Sequence, residues 1–449
     1  MQNYFLLIGS YVFYAFWNWR FLGLVLLTSL LSYLSGLALQ KMREGKFRRV
    51  FLILGLSQAL LPLLFFKYFN FFSVLAHGPV LSLVLPLGIS FYTFRIISYI
   101  LDIDTGKIQA VKDWSVFFNY VSFFPSIISG PIDRAGLLVP QLQSTRSFNS
   151  AMAVDGLRQI LWGLFKKVVI ADNCATIANS VFDTHSYVSG SAILLGAFFY
   201  TIQIYADFSG YSDTAIGVAK LIGFKITRNF DYPFFSENIA EFWRKWHISL
   251  TSWTTDYIFT PLNISFRDWG KSGLALAVII NFLIIGFWHG ANWTFLLFGI
   301  MHACYYIPLI INGSINRRIK HDLQRSRPSL LQFARMSGVF FIVMLAFIVF
   351  RSENIDKALS YFRRVFSAGI IDTVQIPGGT HLVVLSLFIM LMICVEWLQR
   401  GMEHGLCFRS DPLEICNVKK VVRWGIYLLL VLLIFCFEGR EQDFIYFRF

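Results

Sequence analysis

Long apolar runs separated by short polar loops dominate the chain. FLGLVLLTSLLSYLSGLAL (21–39), VFLILGLSQALLPLLFFKYF (50–69) and VVRWGIYLLLVLLIFCF (421–437) are three of them. Each approaches the ~20 residues that cross a bilayer. Counted along the whole chain, such runs predict about eleven to thirteen membrane segments, some too short to span alone. The opening MQNYFLLIGSYVFYAF has no basic n-region and no small-residue cleavage site, so it reads as a first membrane segment, not a signal peptide.

Three stretches break this pattern. In ENIAEFWRKWHISLTSWTTDYIFTPL (237–262), Trp243, Trp246, Leu250, Trp253 and Tyr257 recur at three- and four-residue intervals. That spacing predicts one face of an amphipathic helix suited to an interface, with a Glu241–Lys245 pair on the other face. His247 falls at the edge of the aromatic face, either as an interfacial histidine bonded to a neighbour or as part of a site. FFPSIISGPIDRAGLLVPQL (123–142) gathers Pro125, Gly130, Pro131 and Pro140 beside Asp133 and Arg134. Backbone freed by Pro and Gly is tolerated at membrane depth only when buried in protein or lining a watery cavity. In ADFSGYSDTAIGVAKLIGF (206–224) a Gly-Tyr-Ser-Asp turn is expected between apolar runs. Asp207 and Asp213 there are either functional acids at membrane depth or caps of a short helix.

Composition supports the membrane class. Of the 449 residues 56% are hydrophobic and 14% charged, against roughly 25% charged in soluble domains; the mean hydropathy is +0.60. The net charge of +13 sits in short loops, which argues for membrane topology and against nucleic acid as a partner. The basic QKMREGKFRR (40–49) and the loop at 316–335 are expected on the cytoplasmic side, and the uncharged loop at 70–80 outside. Alternating onward from 316–335 puts 351–381 outside, 400–420 inside and the C-terminus outside. Six scattered cysteines with no CxxC pair give no disulfide framework and no structural zinc site, and His302 with Cys304 is read as ordinary span residues. No repeat of fixed period and no matched pair of interrupted helices is present, so one integrated membrane domain over 1–449 is expected.

Candidate chemistry concentrates in IIGFWHGANWTF (284–295). From Ser272 to Asn316 there is no Asp, Glu, Lys or Arg, so His289 and His302 stand nearly alone. Burial favours a neutral imidazole, which suits general-base work near neutral pH. The other reading of His289 is a packing histidine bridging two helices. Gly290 allows close approach, Asn292 offers an amide that could orient a ring or a carbonyl oxygen, and His302 reads as structural. GxSxG, Walker A, HExxH and GxGxxG motifs do not occur. A working His289 would therefore act without a metal, a bound nucleotide or an enzyme serine. Transfer of an already activated group to a hydroxyl fits that description.

FWRKWHISL (242–250) followed by FWHGANW (287–293) resembles the paired histidine signature of the membrane-bound O-acyltransferases. PLGISFYTFRIISYILDIDTGK (86–107), FFPSIISGPIDR (123–134), YADFSGYSDTAIGVAKLIGF (205–224) and FIYFRF (444–449) are similar to its bacterial branch, which includes alginate O-acetyltransferases and teichoic acid D-alanyl transfer proteins. The resemblance runs from about residue 60 onward, with the motifs in order. It implies an all-α polytopic membrane fold, a helical ring around a central tunnel. It also implies His289 as the catalytic histidine, His247 as the second signature position, and supporting roles for Trp288, Asn292, Trp246 and Asp213 toward donor and acceptor. No bound cofactor is implied. The expected donor is a cytoplasmic acyl thioester, acetyl-coenzyme A or an acyl-carrier protein. The expected acceptor is an extracytoplasmic polysaccharide, reached through a second acyltransferase partner, with the chain in a bacterial plasma membrane. D-alanyl transfer to teichoic acid, and a transporter of acyl donor or lipid-linked sugar in which Asp207, Asp213 and His289 are relay groups, are the alternatives.

Overall fold

The computed structural model describes residues 1–183, 188–315, 327–367, 379–407, 420–439 and 442–445. Parts of the loops expected at 316–335, 351–381 and 400–420, and residues 446–449 of the FIYFRF motif, therefore lie outside the described residues. The chain is all-helical: 76% is helix, and no strand occurs among the described residues. Seven helical segments there are long and apolar enough to cross a membrane: Gln2–Lys41, Lys46–Leu75, Gly190–Leu221, Arg267–His289, Trp293–Ile311, Leu330–Arg351 and His381–Leu398. Other apolar runs form shorter helices; 421–437, for example, falls in the 17-residue helix Lys420–Cys436. These account for the larger number of segments that apolar runs alone suggest.

The described residues fall into two compact units, Met1–Gly156 with Ala215–Thr227, and Leu157–Thr214 with Arg228–Phe449. In the first unit the Pro/Gly-rich stretch wraps around Arg95, which is fully buried. Its guanidinium donates to the carbonyls of Tyr120 (3.4 Å), Ser126 (3.2 Å) and Pro131 (3.0 Å), and lies 3.9 Å from Asp133. Asp133 in turn accepts the Thr227 N–H at 2.8 Å. Freed carbonyls are thus satisfied inside protein, as non-helical backbone at membrane depth requires. Gly88 opens the Arg95 helix with φ +70°, and a Cβ there would meet the Ile127 carbonyl oxygen at 2.1 Å, so only glycine fits.

In the second unit Gly270–His289 and Trp293–Ile311 form a tight helical hairpin. Gly286 and Gly299 permit it: a Cβ would lie 2.2 Å from the Phe295 carbonyl oxygen at the first and 2.4 Å from that of Phe282 at the second. Two sequence expectations are corrected in this unit. The Gly-Tyr-Ser-Asp run is not a turn but part of the continuous helix Gly190–Leu221. Gly210 serves close helix packing there, since a Cβ would meet the Gly163 carbonyl oxygen at 2.7 Å. Asp207 and Asp213 therefore sit mid-helix and do not cap a short one. The segment 237–262 is likewise not one helix. It breaks into Ile239–Lys245 and Ile248–Thr254, a π-turn at Thr255–Phe259, and Thr260–Ser265. The break is held by the preceding loop: Asp231 N–H donates to Lys245 O (3.0 Å) and Ile248 N–H to Asn229 O (2.8 Å). Trp243, Trp246 and Trp253 are buried in the protein and do not face an interface. The Glu241–Lys245 pair forms as expected, at 2.8 Å.

Candidate active site

His289 is the last residue of its helix and is 6% exposed. Its ring packs edge-on against Phe350 (5.0 Å between centroids) and Phe298 (6.0 Å). Gly290, extended at φ 179°, leaves the space that the Phe295 ring fills, because a Cβ would sit 2.4 Å from that ring. His289 lines a small cavity of about 10 Å³ with Ile204, Trp246, Phe298, Phe347, Phe350 and Ile445. That is room for about one water.

His247 occupies the break in the 237–262 segment with φ +43° and is 1% exposed. The left-handed region is uncommon for a residue with a side chain, though histidine visits it more than most, and it costs on the order of 1–3 kcal/mol. Its ring is clamped edge-on between Phe208 (4.6 Å) and Trp288 (5.5 Å). Trp288 also abuts the His289 ring at 4.9 Å, so one indole joins the two histidines. Burial pushes the His247 imidazole down to about 3, keeping it neutral across physiological pH.

Among the other sequence candidates, Trp246 reaches the site and walls the His289 cavity while stacking on Phe242 at 5.4 Å. Asn292 turns away: its amide oxygen caps the next helix at the Thr294 N–H (3.1 Å), and its nitrogen donates to Glu353 O (2.8 Å). Asp213 is paired with Lys166 at 2.6 Å and accepts from Gln159 at 2.8 Å. His302 is structural: its Nδ1 accepts the Trp243 indole N–H at 3.1 Å, and it is fully buried while Cys304 is exposed.

The sequence reading missed Lys166 and Lys167. They lie on a π-helical turn, Phe165–Ala171, a rare geometry found mostly at functional sites. Lys166 takes Asp213 and Ser209 (2.9 Å); Lys167 takes Asp172 (2.8 Å) and Asp207 (2.9 Å). Asp207 also accepts the Ile445 N–H at 2.8 Å, while Phe444 packs on Tyr211 at 4.8 Å and on Phe208 at 6.2 Å. Asp207 thus docks residues 444–445 beside both histidines. Asn229 ties the same helix to the His247 break, donating to Ser212 (3.0 Å) and accepting from Ser249 (2.6 Å).

Two buried histidines walled by aromatics, in a chain with seven helices long and apolar enough to cross a membrane among the described residues, mark the candidate site of a membrane protein. The sequence profile of the MBOAT, membrane-bound O-acyltransferase family matches residues 11–350, and the chain belongs to that family. It is 37% identical to the "Probable alginate O-acetylase AlgI" of Azotobacter vinelandii over 82% of this chain and 73% of the relative. It is 30% identical to the peptidoglycan O-acetyltransferase of Helicobacter pylori over 99% of this chain and 91% of the relative. It is 33% identical to the teichoic acid D-alanyltransferase of Bacillus subtilis over 55% of this chain and 66% of the relative. The chain is an O-acyltransferase of the membrane, and the transporter alternative is set aside.

Proposed function

We propose that this enzyme moves an acetyl group from a cytoplasmic thioester, acetyl-coenzyme A or an acyl-carrier protein, across a bacterial plasma membrane for O-acetylation of an extracytoplasmic polysaccharide. The observation that carries the reading is His289, buried at a helix end with its ring aimed at a small aromatic cavity. Alginate and peptidoglycan in the names of the Azotobacter and Helicobacter relatives support an acetyl donor and a glycan acceptor.

In the proposed step the acceptor oxygen attacks the thioester carbonyl carbon while His289 takes the hydroxyl proton. The tetrahedral intermediate collapses, the C–S bond breaks, and the proton passes to the leaving thiolate. A positioned base contributes ~10²–10⁴ in rate. Trp246 and Trp288 wall the site and exclude water that would hydrolyse the thioester. His247, Asp213 and the Asp207-docked residues 444–445 position this assembly. The first acceptor is either the polymer or a second, extracytoplasmic acyltransferase that relays the group.

D-alanyl transfer to teichoic acid is the second reading, favoured by the Bacillus relative. Purified protein in nanodiscs, offered labelled acetyl-coenzyme A, acetyl-carrier protein or D-alanyl-carrier protein, separates the two. Acceptor-dependent thiol release from an acetyl donor supports the proposal, and release from the D-alanyl donor alone refutes it.

A further inference from the structure

A second cavity, about 1050 Å³, lies in the same unit between the helices Gly190–Leu221, Leu330–Arg351 and His381–Leu398. It is at the upper end of the roughly 300–1,000 Å³ typical of small-molecule sites. Its walls are almost wholly apolar, and its mouth is framed by Phe333, Phe341 and Leu398, which are 59%, 44% and 65% exposed on membrane-spanning helices. On helices long and apolar enough to cross a membrane, exposed apolar side chains of this kind are expected to meet lipid.

Its inner end differs. Glu396, 3% exposed, and Tyr232, 8% exposed, both line the cavity. One Glu396 oxygen accepts the Tyr205 hydroxyl at 2.8 Å; the other oxygen, and the Tyr232 hydroxyl, have no hydrogen-bond partner among the described residues. Buried polar atoms of this kind cost free energy unless something bonds them, and an acid at membrane depth marks a functional site by default. Tyr232 is moreover held at φ +49°, a left-handed backbone that a bulky aromatic adopts only under constraint. No Lys, Arg or His is among the described lining residues, and a phosphate head at the inner end would face the Glu396 carboxyl.

We infer that this cavity binds a neutral, hydroxyl-headed lipid from the bilayer, its apolar chain between the three helices and its hydroxyl bonded to Glu396 and Tyr232. The site is distinct from the His289 cavity but adjacent to it. Phe234 lines the lipid cavity, Trp246 lines the other, and their rings are 6.5 Å apart.

The test is photolabelling of the intact protein in nanodiscs with a monoacylglycerol carrying a diazirine on its chain, followed by peptide mapping. Label is expected on residues 191–202, 333–344 and 393–398, competed by excess unlabelled monoacylglycerol. Leu195→Trp, which fills the cavity, should cut it at least tenfold, and Glu396→Leu several-fold. A diazirine phosphatidic acid should label these residues at least fivefold less. Label spread equally over Gln2–Lys41, or not competed, would show annular lipid only and overturn the inference. Equal labelling by phosphatidic acid would overturn it as well. Should Leu195→Trp fail to fold, the map and competition on the unsubstituted protein decide. The readout is binding, so its failure leaves acyl transfer untouched.

Discussion

Ile445 donates its backbone N–H to the Asp207 carboxylate at 2.8 Å, one residue before the Phe208 ring that packs on His247. Residues far apart in the chain are thereby fixed around one site. A hydrogen bond to a charged group contributes about 1.5–3 kcal/mol. Asp207→Ala should therefore weaken docking of residues 442–445 by roughly 10–100-fold. Amide hydrogen exchange at Phe444 and Ile445 reads this directly; unchanged protection would show that Asp207 does not hold the segment.

Buried Lys166 and partly buried Asp213 form a pair at 2.6 Å. Removing one partner strands the other charge, at a cost of about 3–5 kcal/mol. Lys166→Met should lower the unfolding temperature sharply, and Lys166→Met with Asp213→Leu should recover most of the loss. Scanning fluorimetry in detergent checks it. If the double variant is no more stable than the single one, the pair is not what these residues contribute.

His247 titrates near 3 in the fold because burial disfavours its charged form. An unfolded chain holds histidine near 6.5, so between pH 6.5 and 3 the unfolded state binds the extra proton. The stabilisation is complete above pH 6.5 and is lost as pH falls, by about 1.4 kcal/mol per unit for this group. His247→Gln should flatten the acid limb of a stability-versus-pH curve. An identical limb in both proteins would contradict the buried neutral imidazole.

Much of this architecture is legible in the residues. Apolar runs give the helical membrane class, and the charge-free stretch around His289 singles that residue out. The Glu241–Lys245 spacing yields a real ion pair. What fails is tertiary. GYSD reads as a turn because local propensity favours one, yet Gly210 is there to meet Gly163 across a helix contact. The 237–262 periodicity is continuous, yet Asn229 and Asp231 take the backbone bonds that split it at His247. Lys166 and Lys167 carry no signal in the sequence, because the acids that face them lie on another helix. Asn292, beside His289 in sequence, spends its amide on a helix cap instead. None of these partners is nearby in the chain, so no local pattern announces them.

The buried His289 imidazole is proposed as the base for acyl transfer. Single-turnover transfer from labelled acetyl donor to acceptor, compared among the unsubstituted enzyme, His289→Ala and His289→Gln at matched folding and donor binding, tests it most directly. Both variants are expected to lose ~10²-fold or more in the transfer rate, with donor affinity changed less than threefold. Transfer within threefold of the unsubstituted rate in either correctly folded variant would contradict it.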